Sequence, residues 1–144
     1  MIKEIRKIFI IDSEAKPVYI RENYIQGSGQ VNYALLSKFI KALQIFAKEY
    51  GDDEETRIIE MGGQKIFALK DEFTNFQYVM VCQKDSNHKK MLKILNNIKN
   101  LFIEKFMGKY HSDNETKTQA MNSFILGLNE ILEPVSKWEN LFRS

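Results

Sequence analysis

Ile5-Arg6-Lys7-Ile8-Phe9-Ile10-Ile11-Asp12-Ser13-Glu14-Ala15-Lys16-Pro17-Val18-Tyr19-Ile20-Arg21 reads as strand, turn, strand. Ile8 to Ile11 are apolar on consecutive positions, so the first strand is expected to be buried on both faces. Asp12 to Lys16 is a polar turn. Pro17 lacks a backbone donor and fits only the start of the strand that follows. That return strand is more polar, as an edge strand should be. A second stretch, Phe76-Gln77-Tyr78-Val79-Met80-Val81-Cys82, is again apolar on consecutive positions. Two such strands belong in the middle of a sheet covered by helices on each side.

The remaining elements follow from periodicity. Asn32 is a plausible N-cap for a long helix in which Leu36, Phe39/Ile40, Leu43, Phe46/Ala47 and Tyr50 recur at helical spacing, with Gly51 at its end. Arg57 to Met61 and Gln64 to Leu69 form a hairpin around Gly62-Gly63, two glycines that supply the positive φ of a tight turn. A helix is predicted from about Asn87 to Met107, with Met91, Leu92, Leu95, Ile98, Leu101/Phe102 and Phe106 on one stripe. Gly108 to Thr118 is predicted to be a polar connection. The last helical segment, 118–142, carries Met121, Phe124/Ile125, Leu128 and Ile131/Leu132, with a kink or break at Pro134.

The predicted order is therefore β-β-α-β-β-β-α-α. The expected fold is a three-layer α/β/α sandwich on a five-stranded, mainly antiparallel sheet of order 2-1-5-4-3. The second and third strands are its edges. With 144 residues the chain fits one domain, 1–144, with its core in 5–107.

Composition excludes more than it assigns. A hydrophobic content of 44% with 28% charged residues is that of a globular chain. The single cysteine, Cys82, rules out an internal disulfide framework and a multi-thiolate zinc site. A formal charge of +2 provides no net drive toward nucleic acid, and no RNA-binding signature is present. The N-terminus runs straight into the first strand without the h-region or cleavage site of a signal peptide, so a cytoplasmic location is expected.

The opening hairpin resembles that of longin domains, most closely those of the paired longin subunits that act as exchange factors for Rab GTPases. There the first strand ends in a short polar turn, followed by Lys-Pro, a small β-branched residue and Tyr, here Lys16-Pro17-Val18-Tyr19. Leu36 to Phe46 is similar to the helix that follows, and Ile58 to Leu69 to the next hairpin, so the likeness covers about residues 5 to 107. The exchange subunits carry additional longin domains, whereas one is legible here. The resemblance implies a longin-like scaffold of the longin/roadblock superfamily with no catalytic side chains and no cofactor. Such a domain pairs with itself or with another longin/roadblock protein through a sheet edge and the helix beside it. The pair binds a small GTPase, a SNARE or a tethering complex.

No residue set in the sequence contradicts that expectation. His88 at a helix start reads as a solvated residue. His111-Ser112-Asp113-Asn114-Glu115 places oxygen and nitrogen groups at alternating positions, but without a second cluster it reads as a polar loop. Cys82 reads as a small core residue. Gly27-Ser28-Gly29 and Gly62-Gly63 lack the Gly-Lys-Ser/Thr of a P-loop. No nucleophile or acid/base set emerges, so catalytic and metal residues are none and the chain is not expected to be an enzyme. Expected partner contacts are instead Tyr19 and Arg21 on one edge, Arg57 and Ile59 on the other, and Leu35 and Ile45 on the first helix. The last two point away from Leu36, Phe39 and Leu43.

The near-neutral charge hides an asymmetry. Lys84 to Lys109 holds seven lysines against Asp85 and Glu104, whereas Glu49 to Glu55 holds five acids and no base. Lys89, Lys90 and Lys93 are therefore candidate contacts to an anionic membrane surface or an acidic partner, which would make the protein peripheral at membranes. The alternative to a scaffold is a small-molecule sensor of PAS or GAF type, which shares similar strand orders. The single long helix between the second and third strands disfavours it.

Overall fold

The computed structural model describes residues 4–22, 38–42, 56–106, 108–109 and 112–133. Its elements are β1 (Ile5–Ile11), β2 (Pro17–Glu22), helical residues 38–42 (α1), β3 (Thr56–Met61), β4 (Gln64–Lys70), β5 (Gln77–Gln83), α2 (His88–Phe106) and α3 (Asn114–Leu132). All four strand pairings are antiparallel, and the sheet order is β2-β1-β5-β4-β3, as the apolar pattern predicts. The chain divides into two compact units, Lys3–Leu95 and a unit of Asn96–Ser144 with Met1–Ile2.

In the sheet unit, register and pleat assign every core side chain to a face. Phe9 lies opposite Val79, Val79 opposite Ala68, and Ile66 opposite Val81. With Ile11 and Ile40 these residues form one apolar cluster, each at most 3% exposed. Ile40 comes from α1, so α1 covers this first face. Ile8, Ile10, Phe67, Tyr78, Met80 and Cys82 occupy the second face and are also buried. The start of α2 packs there: the His88 ring meets Phe67 edge-on, with centroids 5.7 Å apart. Each such aliphatic or aromatic side chain stabilises the fold by about 1.5–3 kcal/mol on burial.

The turns show why the strands end where they do. Asp12 caps β1: its carboxylate accepts from the backbone N–H of Glu14 at 2.9 Å and of Lys16 at 3.0 Å. Ala15 adopts φ +65 in this turn, a conformation unfavourable to a residue with a Cβ. Its methyl group packs against the first-face cluster, which is why alanine is held there. The Lys41 ammonium donates to the Ser13 carbonyl at 2.7 Å and ties α1 to the same turn. Between β4 and β5, Asp71 accepts from the Thr74 N–H at 3.0 Å and the Thr74 hydroxyl at 2.7 Å, and Asn75 supplies a positive φ.

In the second unit, Phe102 stacks on Phe106 and meets Phe124 edge-on, with centroids 4.4 Å and 5.3 Å apart. Ala120, Phe124, Leu128 and Leu132 form the buried stripe of α3. Gly127 permits a close helix approach, since a Cβ there would stand 2.9 Å from both Leu101 methyls.

Two sequence expectations need correction. The polar connection does not extend to Thr118. α3 begins at Asn114, because the Asp113 carboxylate caps the helix by accepting from the Thr116 N–H at 2.7 Å. Phe39 does not face the sheet: it is 41% exposed, and its neighbour Ile40 is buried instead. Adjacent apolar residues on a helix differ by about 100° in direction, and only one can point into the core. Asn32 and Gly51 lie outside the described residues, as does the predicted continuation past Pro134.

The same hydrogen bonds hold the Asp113 carboxyl below the usual carboxylate range. The cap therefore supports α3 fully above the unfolded value of about 4 and is lost as pH falls through the lower folded value. Melting curves across acid pH should show Asp113→Ala less stable than the parent at neutral pH. The two should converge at the acid end. Asp113→Asn retains a capping oxygen and should abolish this pH dependence.

Candidate functional site

The Cys82 side chain is fully buried in central strand β5. Burial, and secondarily the Glu4 carboxylate, pushes its thiol up to about 12, so it holds negligible thiolate at neutral pH. Cys82 should resist a thiol-reactive dye in native protein and react at once in denaturant. Native labelling at the rate of free cysteine would contradict its burial. Tyr78 is buried near the other end of β5, and desolvation, then the Asp71 charge, raises its phenol well above the ordinary value. His88 is exposed at the start of α2, where Asn87 caps the helix by accepting from the Lys90 N–H at 2.9 Å. Asp113 and Glu115, read above as part of a polar loop, are the cap and first turn of α3. Among the described residues no group of three or more His, Cys, Asp or Glu could hold a metal ion. No helix among them is long and apolar enough to cross a membrane.

What the fold offers is surface. Among the described residues, β2 and β3 are the ends of the sheet, each with a strand neighbour on one side. Tyr19 and Arg21 lie on β2, half-buried, opposite Ile10 and Ile8 on the second face. Ile20 between them is exposed. Arg57 and Ile59 are half-buried on the first face of β3, and Ile59 packs against the core cluster. Ile58 on β3 is left at the surface, at 38% exposure. Tyr19 and Arg21 are therefore separated from Arg57 and Ile59 by the three inner strands. Leu35 and Ile45 lie outside the described residues. Lys89, Lys90 and Lys93 are all exposed on α2, and Lys90 stands 3.6 Å from Glu4.

Two exposed aromatics escape the sequence pattern. Phe39 shares the helical period of the core, so spacing alone directs it inward. Phe73, at 95% exposure, sits in the β4–β5 turn and has no periodicity to reveal its direction. Phe39 and Ala42, spaced i and i+3, are both exposed and share one side of α1.

No protein-family model matches the chain, and the comparison with curated proteins finds no match. Solved structures do resemble it. An MglB with tetrameric arrangement superposes with a TM-score of 0.50 at 14% identity, over 66% of this chain and 72% of that one. A Roadblock/LC7 domain from Streptomyces avermitilis superposes with a TM-score of 0.50 at 9% identity, over 69% and 87%. The chain has the roadblock/longin fold. At such low identity the likeness extends to the fold alone. Within that roadblock/longin frame, β2 and β3 are the two sheet edges and α1 is the helix carried between them in sequence.

Proposed function

We propose that this roadblock/longin-fold chain is a non-enzymatic scaffold that pairs with itself or with another longin/roadblock protein. The pair then binds or regulates a small GTPase or a membrane-traffic complex. The observation that carries this reading is α1, which is apolar beyond its core-facing side: Ile40 fills the core while Phe39, about 100° around the helix, remains 41% exposed. A solvent-facing phenylalanine on a helix already anchored to a sheet is unused apolar surface, the usual material of an interface centre. β3, a sheet edge carrying exposed Ile58, is the backbone template that can pair alongside it. The tetrameric arrangement of the MglB relative supports assembly, and the Lys16-Pro17-Val18-Tyr19 hairpin supports the link to GTPase exchange subunits. In this reading the single domain works in the cytoplasm, peripheral to membranes. Tyr19, Arg21, Arg57, Ile59, Leu35 and Ile45 serve its contacts, and Lys89, Lys90 and Lys93 meet an acidic surface.

The test is mass in solution, for the chain alone and co-expressed with longin or roadblock partners, followed by calorimetry against small GTPases loaded with GDP or a GTP analogue. A dimer mass and nucleotide-sensitive GTPase binding are expected. A monomer at every concentration, alone and with each partner, and with no GTPase binding, would overturn the proposal. The sensor alternative has no supporting observation: sensors of that kind keep one sheet face as a pocket, and here the first face is filled by the cluster around Ile40.

A further inference from the structure

We infer that the end of the sheet where β4 begins, β5 ends and α2 begins is a docking surface for anionic lipid. The β4–β5 register brings this surface together. Lys65 lies opposite Cys82, which places the start of β4 beside the exit of β5 toward exposed Lys84. A short turn, closed by the Ser86 hydroxyl donating to the Gln83 carbonyl at 2.7 Å, then delivers the first turn of α2 to the same end. Lys89 and Lys90 are exposed there, and exposed Lys93 continues the charge one turn on.

Three features favour a ligand surface over incidental solvation. The first turn of α2 carries no acid, and it sets His88, Lys89 and Lys90 at the positive end of the helix dipole, where cations are unfavourable. α3, with Asp113 as cap and Glu115 in its first turn, has the stabilising arrangement. Counter-charge is also incomplete: among the described residues, Glu4 sits by Lys90, Glu60 opposes Lys65 across β3–β4, Glu22 opposes Lys7 across β1–β2, and Asp85 follows Lys84. Finally, the opposite end of the sheet has a small acidic excess: Asp12, Glu14, Asp71 and Glu72 stand against Lys16, Lys70 and Lys41, whose ammonium lies on the β1–β2 turn. The sheet unit is thus polarised along its strands, which would orient it on a negatively charged plane.

The chemistry points to lipid rather than to an acidic peptide. Every exposed cation at this end is lysine, a flexible point charge without the planar fork that recognises one carboxylate specifically. They are distributed over two strand ends and a helix, which suits a diffuse field. Among the described residues the large exposed apolar side chains are Ile20, Phe39, Ile58, Phe73 and Leu126, and none lies in the stretch from Lys84 to Lys93. Attachment is therefore superficial and salt-sensitive.

This assignment rests on the peripheral-membrane part of the reading above and is independent of pairing and GTPase binding. Flotation with phosphatidylcholine vesicles, with and without phosphatidylserine, tests it on the full chain. Binding should require phosphatidylserine and fall with rising salt. The Lys89→Glu/Lys93→Glu double variant should lower it by at least about thirtyfold, while Lys70→Glu at the acidic end leaves it intact. Because the Lys89 change puts a carboxylate at a helix N-terminus, the double variant should fold normally and keep its oligomeric mass. Equal binding to both vesicle types, an undiminished double variant, or preference for poly-glutamate over phosphatidylserine vesicles would overturn the assignment. Loss of vesicle binding with unchanged mass and GTPase binding would support it; failure of pairing alone would count only against the scaffold reading.

Discussion

Phe9→Ala is expected to lower the free energy of unfolding by about 3–5 kcal/mol. Phe9 is completely buried on β1, within the first-face cluster that Ile11, Val79, Val81 and Ile40 share. Its cross-strand neighbours are Ile20 on β2 and Val79 on β5. Truncation removes the transfer free energy of the ring and leaves a cavity between strands that are hydrogen-bonded on both sides, so little collapse can fill it. Against a typical total of about 5–15 kcal/mol, the loss would consume much of the stability. Urea unfolding should show a large fall in midpoint at an unchanged slope. Ile20→Ala, directly opposite on the edge and 43% exposed, should cost less than about 1.5 kcal/mol. Similar losses for both variants would mean that the first face is not the organising core.

The second large effect concerns assembly. Phe39→Asp is expected to weaken pairing by about a hundredfold, as truncation of a central aromatic anchor typically does, while leaving the fold nearly intact. Phe39 already meets solvent at 41% exposure, so a carboxylate at its position can stay hydrated in the isolated chain. In a paired state it would be buried without a counter-ion, and that penalty drives dissociation. Sedimentation over a range of concentrations should show the variant as monomer where the parent is dimer, with similar melting temperatures. Ile40→Asp, one residue along and fully buried, should instead unfold the sheet unit. An unchanged dimer in Phe39→Asp would place the interface elsewhere.

The contrast between Phe39 and Ile40 shows where reading the chain stops. Both are apolar and adjacent, so the helical period is satisfied by either. The phase of the helix against the sheet is set by which side chain fits among Phe9, Ile11 and Val79. The edge contacts show the same limit. Alternation along β3 separates Ile58 from Ile59, but only the covering of one face by α1 decides which is half-buried and which is left exposed. The polar run His111 to Glu115 is equally ambiguous, because a loop and a solvated helix start have the same composition. The hydrogen bond from Thr116 to Asp113 resolves it. Conversely, β1 and β5 were legible as inner strands because consecutive apolar residues cannot be left on an edge without exposing one face to water.

By itself the sequence determined the order of elements and the antiparallel sheet β2-β1-β5-β4-β3, since these depend on local period and residue chemistry. Only the tertiary structure decided which apolar side chains remain outside, such as Phe39, Ile58 and Phe73. It also joined Lys65 to Lys84 and Lys89 at one end of the sheet. Such proximities arise from strand register and helix phase, which depend on packing between segments far apart in the chain.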